Sequence, residues 1–212
     1  MSFDVICFDC DSTLSKIEGI DELARRVGMA EAMSKLTDLA MNGTVPLQDV
    51  YGRRLSAIQP DSASIDWVAQ LYISEIVDGV KELFNILLAQ GKTVHIISGG
   101  LRQAILPLAV FLGLQEGHVH AVDVYFNDDG SYRGFDEASP LARAGGKAEV
   151  VGGLKGNGSI VMVGDGKTDM EAKLAGAYVV GFGGVADRAI VREQADVYTV
   201  ESSLMAVLPY IS

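Results

Sequence analysis

The stretch "FDVICFDCDSTLS", Phe3–Ser15, decides how the rest of the chain is read. Its first half, "FDVICF" (Phe3 to Phe8), is short and almost wholly apolar. Near-continuous apolarity, without strict alternation, marks a strand buried on both faces of a parallel sheet. Its second half leaves that strand with Asp9 and Asp11 flanking Cys10, and the hydroxyls of Ser12 and Thr13 follow at once. Two carboxylates so close at the exit of a buried strand repel each other unless something reconciles their charge.

Working outward, three more runs have the same character: "TVHIIS" (Thr93 to Ser98), "SIVMVG" (Ser159 to Gly164) and "AYVVGF" (Ala177 to Phe182). Between them lie helical patterns, "VKELFNILLAQG" (Val80 to Gly91), "RQAILPLAVFLG" (Arg102 to Gly113, interrupted by Pro107) and "TDMEAKLAGA" (Thr168 to Ala177). Gly91 and Gly113 are expected helix stops. The alternation predicts an α/β fold, a doubly wound, Rossmann-like and mostly parallel sheet. Residues 16–71 show helical periodicity and no convincing strand. They are expected to form a small helical cap inserted after the first strand, with residues 1–15 and 72–212 making the α/β core. Val119 to Phe135 is read as a β-hairpin turning at Asn127 to Gly130.

Composition narrows the function. The chain has 212 residues, 49% of them apolar and 21% charged, as in one globular domain carrying an insert. A net charge of -11 argues against nucleic acid and anionic membrane surfaces as partners. No apolar run approaches the ~18 residues of a membrane span, and the first residues, with Asp4 among them, lack the basic start of a signal peptide. Cys7 and Cys10 have C-x-x-C spacing, but no adjacent residues complete a zinc site. Buried, inert thiols in a reducing cytoplasm are expected.

In open α/β sheets ligands bind beyond the C-terminal ends of the strands. That edge would gather Asp9, Asp11 and Thr13 after the first strand, Ser98, Gly99 and Gly100 after the second, and "GDGKTD", with Asp165, Thr168 and Asp169, after the third. Lys147 of "AGGKAE" lies just before that third strand. Clustered carboxylates with no histidine among them suit a hard cation, Mg²⁺. A hydroxyl, a glycine turn and a lysine suit a phosphoryl group. One aspartate of the first pair could then attack phosphorus, while the other protonates the leaving alkoxide and later deprotonates water.

Taken in order, "DCDST", "SGG", the lysine of "GGK" and "GDGKTD" resemble the four motifs of the haloacid dehalogenase superfamily of phosphatases. "EGIDELA", "AIQP", "GFDE" and "GFGG" narrow the resemblance to its phosphoserine phosphatases, over nearly the whole length. The resemblance implies a Mg²⁺-dependent phosphomonoesterase acting on O-phospho-L-serine in the cytoplasm, at the last step of serine biosynthesis. It makes Asp9 the nucleophile and Asp11 the general acid/base. Ser98, Gly99 and Lys147 would bind phosphate, and Glu18, Met41, Arg54, Gly100 and Thr168 would bind substrate. Asp9, Asp11 (by its backbone carbonyl) and Asp165 would hold the metal, with Thr13, Asp169 and Arg188 in support. The family's "MGG.VPF" cap segment departs here at Asn42 and Leu47, which leaves phosphothreonine, phosphohomoserine or another phosphate ester open as substrate. A homodimer is also left open.

Simpler readings stand beside these. Ser15 and Glu18 have capping-box spacing, one of Arg53 and Arg54 could be a plain surface charge, Lys147 could cap a helix start, and Thr168 and Asp169 could be N-cap residues. His95 reads as a satisfied core residue. Gly181, Gly183 and Ala186 fit a dinucleotide fingerprint, but so near the end of this sequence too little chain follows for a mononucleotide-binding half. A signalling receiver domain also phosphorylates an aspartate, yet needs no helical insert.

Overall fold

The computed structural model describes residues 2–41, 44–45 and 47–212. Six parallel strands form the central sheet: β1 (Val5–Phe8), β2 (Thr93–Leu101), β3 (Val119–Val122), β6 (Ile160–Gly164), β7 (Tyr178–Phe182) and β8 (Val197–Thr199). Their order is β3-β2-β1-β6-β7-β8. The chain steps outward from β1 to β3 and then returns to the other side of β1. The topological switch therefore falls between β1 and β6, where a Rossmann-like sheet opens its ligand crevice. Every residue of β1 and β6 is buried, as their unbroken apolar runs require. The parallel register sets Phe8 beside Val163, and the Asp9 N–H continues the ladder to the Val163 carbonyl at 2.9 Å. Asp9 thus stands opposite Gly164, and Asp165 follows one residue farther along the neighbouring strand.

Between β1 and α5 (Val80–Ala89) come four helices, α1 (Gly19–Arg26), α2 (Ala30–Met41), α3 (Leu47–Ile58) and α4 (Ser62–Ser74). Asp61 caps α4 by accepting a hydrogen bond from the Ser64 N–H. Ile65, Val68, Ala69 and Tyr72 make one buried stripe along it. That stripe carries α4 past residue 71 to Ser74. The remaining helices are α6 (Arg102–Phe111), α7 (Gly146–Gly153), α8 (Lys167–Met170), α9 (Ala189–Gln194) and α10 (Leu208–Ile211). Gly91 and Gly113, at φ 74° and 86°, stand just beyond α5 and α6, and Pro107 lies inside α6.

Two expectations need correction. The hairpin is confined to β4 (Val124–Phe126) and β5 (Tyr132–Phe135), with its turn at Asn127 to Gly130 as read. Val119–Val122 instead pairs with β2 as a parallel edge strand. The apolar pattern runs on through both strands, so it could not reveal where sheet membership changes. That change occurs at Asp123, whose side chain accepts from Gln103 while its carbonyl accepts from the Asp136 N–H. The helix expected over Thr168 to Ala177 is α8 followed by a 3₁₀ stretch, Glu171–Ala175, which Gly176 ends at φ 80°.

Cys7 and Cys10 are buried free thiols. Burial pushes the Cys7 thiol up to about 12, consistent with inert packing. The dinucleotide-like glycines have a packing reason: a Cβ on Gly183 would sit 2.0 Å from the Tyr198 hydroxyl, and one on Gly181 would meet the same ring at 2.7 Å. Among the described residues no helix is long and apolar enough to cross a membrane.

Candidate active site

The cleft lies over the C-terminal ends of β1, β2 and β6. Asp9, Asp11, Gly99, Gly100, Asp165 and Lys147 line it from the sheet side. Glu18, Gly19, Tyr51, Arg54 and Tyr72 line it from α1, α3, α4 and the approach to α1. The loop leaving β1 is tight. Backbone N–H groups of Thr13, Leu14 and Ser15 all turn back to the Cys10 carbonyl, and Ser12 takes φ 51°, a left-handed conformation uncommon for a non-glycine residue.

Lys147, in the first turn of α7, is buried and bridges two carboxylates: its Nζ is 2.8 Å from Asp9 Oδ1 and 2.6 Å from Asp169 Oδ1. Burial opposes its charge, but Asp169 and Asp9 outweigh this and its pKa is raised. It caps nothing, since the N-cap of α7 is Gly145. Asp169 also accepts from the Gly166 N–H at 2.9 Å, so it sits at the third position of α8 with Gly166, not Thr168 or Asp169, as N-cap. Asp165 accepts from Thr13 at 3.3 Å and from Arg188 Nε at 3.2 Å.

Carboxylate oxygens of Asp9, Asp165 and Asp169 lie within 4.8 Å of one another, the one such cluster among the described residues. Burial, then the charge of Asp9, raises Asp165 to about 7 and Asp11 to about 6. Asp9, Asp11, Glu18, Asp165 and Asp169 together face Lys147, Arg54 and Arg188. The acids are in excess, and the clustered donors are all carboxylate oxygens. That set fits a hard divalent cation and does not suit zinc or copper.

Asp11 Oδ1 accepts from the Gly19 N–H and the Tyr72 hydroxyl, both at 2.7 Å. Its Oδ2 lies 3.5 Å from Ser98 Oγ, which in turn accepts from the Gly100 N–H at 2.9 Å. Glu18 accepts from Ser12 Oγ at 2.7 Å and lies 3.7 Å from Arg188. The capping box is not formed: Glu18 is itself the N-cap position of α1 with no side-chain cap bond, and Ser15 Oγ donates to the Glu75 carbonyl. Arg54 is 3% exposed, whereas Arg53 is exposed to solvent.

A family profile of haloacid dehalogenase-like hydrolases matches residues 3–175. The chain is a haloacid dehalogenase-like hydrolase. Phosphoserine phosphatase of Rattus norvegicus is 38% identical to this hydrolase over 203 residues, 94% of this chain and 90% of the relative. The human phosphoserine phosphatase is 37% identical over the same shares. A substrate-bound phosphoserine phosphatase complex superposes with TM-score 0.85 at 26% identity, covering 99% of this chain and 98% of that one.

In the hydrolase, Asp9, Asp11, Gly99, Gly100, Lys147 and Asp165 of the core motifs line one cleft along with Glu18 and Arg54, whereas Thr13, Ser98 and Asp169 are buried and do not line it. Thr168 lines it too, and Arg188 reaches it through Asp165. The Met41 side chain, Asn42 and the Leu47 side chain lie outside the described residues. Sequence reasoning missed Tyr51, Tyr72 and Arg143, all of which line the cleft. Tyr51 donates to the Gly99 carbonyl at 2.8 Å. Tyr72 had a signal in its place on the apolar stripe of α4, but a buried phenol there reads as core.

Proposed function

We propose that this hydrolase is a Mg²⁺-dependent phosphomonoesterase that cleaves O-phospho-L-serine to L-serine and phosphate, with residues 16–71 serving as the cap that selects the substrate. One observation carries the reading. The cleft that holds Asp9, Asp11 and Lys147 also holds a carboxyl group, Glu18, and a buried guanidinium, Arg54, which together suit the ammonium and carboxylate of a free amino acid. The curated relatives named phosphoserine phosphatase support it. The two buried free thiols support a reducing, cytoplasmic setting.

In this reading Asp9 attacks phosphorus in line. Its oxygen bonds to phosphorus as the bond to the serine oxygen breaks, and the electron pair leaves on that oxygen. Asp11 delivers a proton to the departing alkoxide. Water then attacks the aspartyl phosphate, Asp11 takes its proton, and Asp9 is released. Ser98, the Gly99 backbone at the end of β2 and Lys147 hold the phosphoryl oxygens. Asp9, Asp165 and the backbone carbonyl of Asp11 would hold Mg²⁺, which would supply charge neutralisation to the phosphoryl group.

Rates on phosphoserine, phosphothreonine, phosphohomoserine and a sugar phosphate, with Mg²⁺ and with EDTA, test the substrate and the metal. Phosphoserine should lead and EDTA should silence it. Asp9→Asn should retain less than ~10⁻³ of turnover. Near-normal turnover in that variant would remove Asp9 as nucleophile.

A further inference from the structure

We infer that Tyr72, on α4, is a positioning residue for the leaving-group step, acting through Asp11. The inference rests on the reading of Asp11 as general acid/base. Tyr72 is 1% exposed, and a phenol hydroxyl buried so deeply must find an acceptor. It uses Asp11 Oδ1 at 2.7 Å. The Gly19 N–H donates to the same oxygen at 2.7 Å.

Two donors on Oδ1 do two things. They fix the plane of the carboxyl group, and they favour electron density on Oδ1, so the acid proton resides on Oδ2. Oδ2 is aimed at the Ser98–Gly100 end of β2. It lies 3.5 Å from Ser98 Oγ, and a Cβ on Gly100 would come within 3.0 Å of it. Tyr72 therefore turns the proton-bearing oxygen toward the phosphoryl-binding edge.

The close fit of Gly19 supports this as a built arrangement. A Cβ there would sit 2.1 Å from the Tyr72 hydroxyl and 2.8 Å from the ring carbon that carries it. Only glycine both donates its N–H to Asp11 and leaves the phenol room to reach the same oxygen. α4 thereby feels the orientation of an acid that belongs to the loop after β1.

The test is the dependence on leaving group. A serine alkoxide departs poorly unless protonated, whereas p-nitrophenolate needs little help. kcat/KM reports the steps up to the first departure, so slow dephosphorylation does not mask the effect. For Tyr72→Phe, kcat/KM should fall by ~10- to 100-fold on phosphoserine and by less than about threefold on p-nitrophenyl phosphate. Gly19→Ala, which crowds the phenol while keeping the tyrosine, should discriminate in the same direction. Equal losses on the two esters in Tyr72→Phe would mean a purely structural role and overturn the inference, as would no loss on either. Asp11→Asn separates the two readings. If it discriminates and Tyr72→Phe does not, only the part given to Tyr72 falls. If Asp11→Asn itself slows both esters equally, the acid/base reading of Asp11 falls with it.

Discussion

Asp9 and Asp11 stand two residues apart and have different surroundings. Asp9 Oδ1 takes the Cys10 N–H at 2.7 Å and the Lys147 ammonium at 2.8 Å. Asp11 takes a backbone N–H and a phenol and has no cation at hydrogen-bond distance among the contacts described above. Burial and the neighbouring Asp9 raise it to about 6, the range in which a carboxyl group can both give and take a proton near neutral pH. In the proposed mechanism this difference of environment would let Asp9 act as nucleophile while Asp11 handles protons. On the opposite wall Arg54 is buried. Burial holds its pKa below the usual value, yet a guanidinium keeps its charge. Arg54→Met should raise KM for phosphoserine by ~10- to 100-fold. It should leave KM for p-nitrophenyl phosphate, which has no carboxylate, nearly unchanged. Steady-state kinetics on the two esters check this.

At the scale of elements, β2 links the site to the sheet edge. Its outer end carries Ser98, Gly99 and Gly100, and its inner half carries His95. His95 Nδ1 lies 3.1 Å from His120 Nε2 on β3, and the His118 ring packs at 4.7 Å. His95 Nε2 is buried without a hydrogen-bond partner among the described residues, so the expected satisfied core histidine is satisfied on one nitrogen. Burial, then His120 and His118, lowers its pKa from 6.5 to about 4. The unfolded chain therefore binds this proton more readily. The stability that neutral His95 contributes is complete above about pH 6.5 and is lost as pH falls toward 4. Urea unfolding of wild type and His95→Leu at pH 7 and pH 4.5 isolates it. The wild type should lose the more stability of the two, and parallel losses would assign the acid sensitivity elsewhere. The strands β1, β2, β6 and β7 were legible because each is a short apolar run bounded by Gly, Ser or Asp. The split of Val119 to Phe135 between two sheets was not, since one alternating pattern serves an edge strand and a hairpin equally.

At the scale of the whole molecule, the switch point between β1 and β6 gathers the acids and the helices before α5 close over them. A carboxyl group raised above its ordinary value holds its proton longer in the folded chain. Metal-free stability should therefore fall as pH rises from about 4, the ordinary value, through about 7, where Asp165 titrates. A divalent cation needs the deprotonated acids and offsets that loss. Mg²⁺ at a hundredfold excess over its Kd should raise Tm by about 5–10 °C. At one fixed Mg²⁺ concentration the rise should be larger at pH 8 than at pH 6, because protonated acids weaken binding at the lower pH. Differential scanning fluorimetry with Mg²⁺ and with EDTA measures it, and equal shifts at both pH values would place Mg²⁺ away from these acids.

What the sequence determined by itself was the parallel α/β core, the strand ends that bear chemistry and the residues of the four core motifs. These are local properties: apolar runs force buried parallel strands, and the residues that follow such strands lie on one edge. Only the tertiary structure decided that Glu18 turns to Ser12 and not to the start of α1, and that Tyr51 and Tyr72 reach Gly99 and Asp11. Each of these depends on how a helix is rotated and where it docks. Tyr72 and Asp11 are 61 residues apart in the chain, and no local periodicity encodes the angle at which α4 meets the loop after β1.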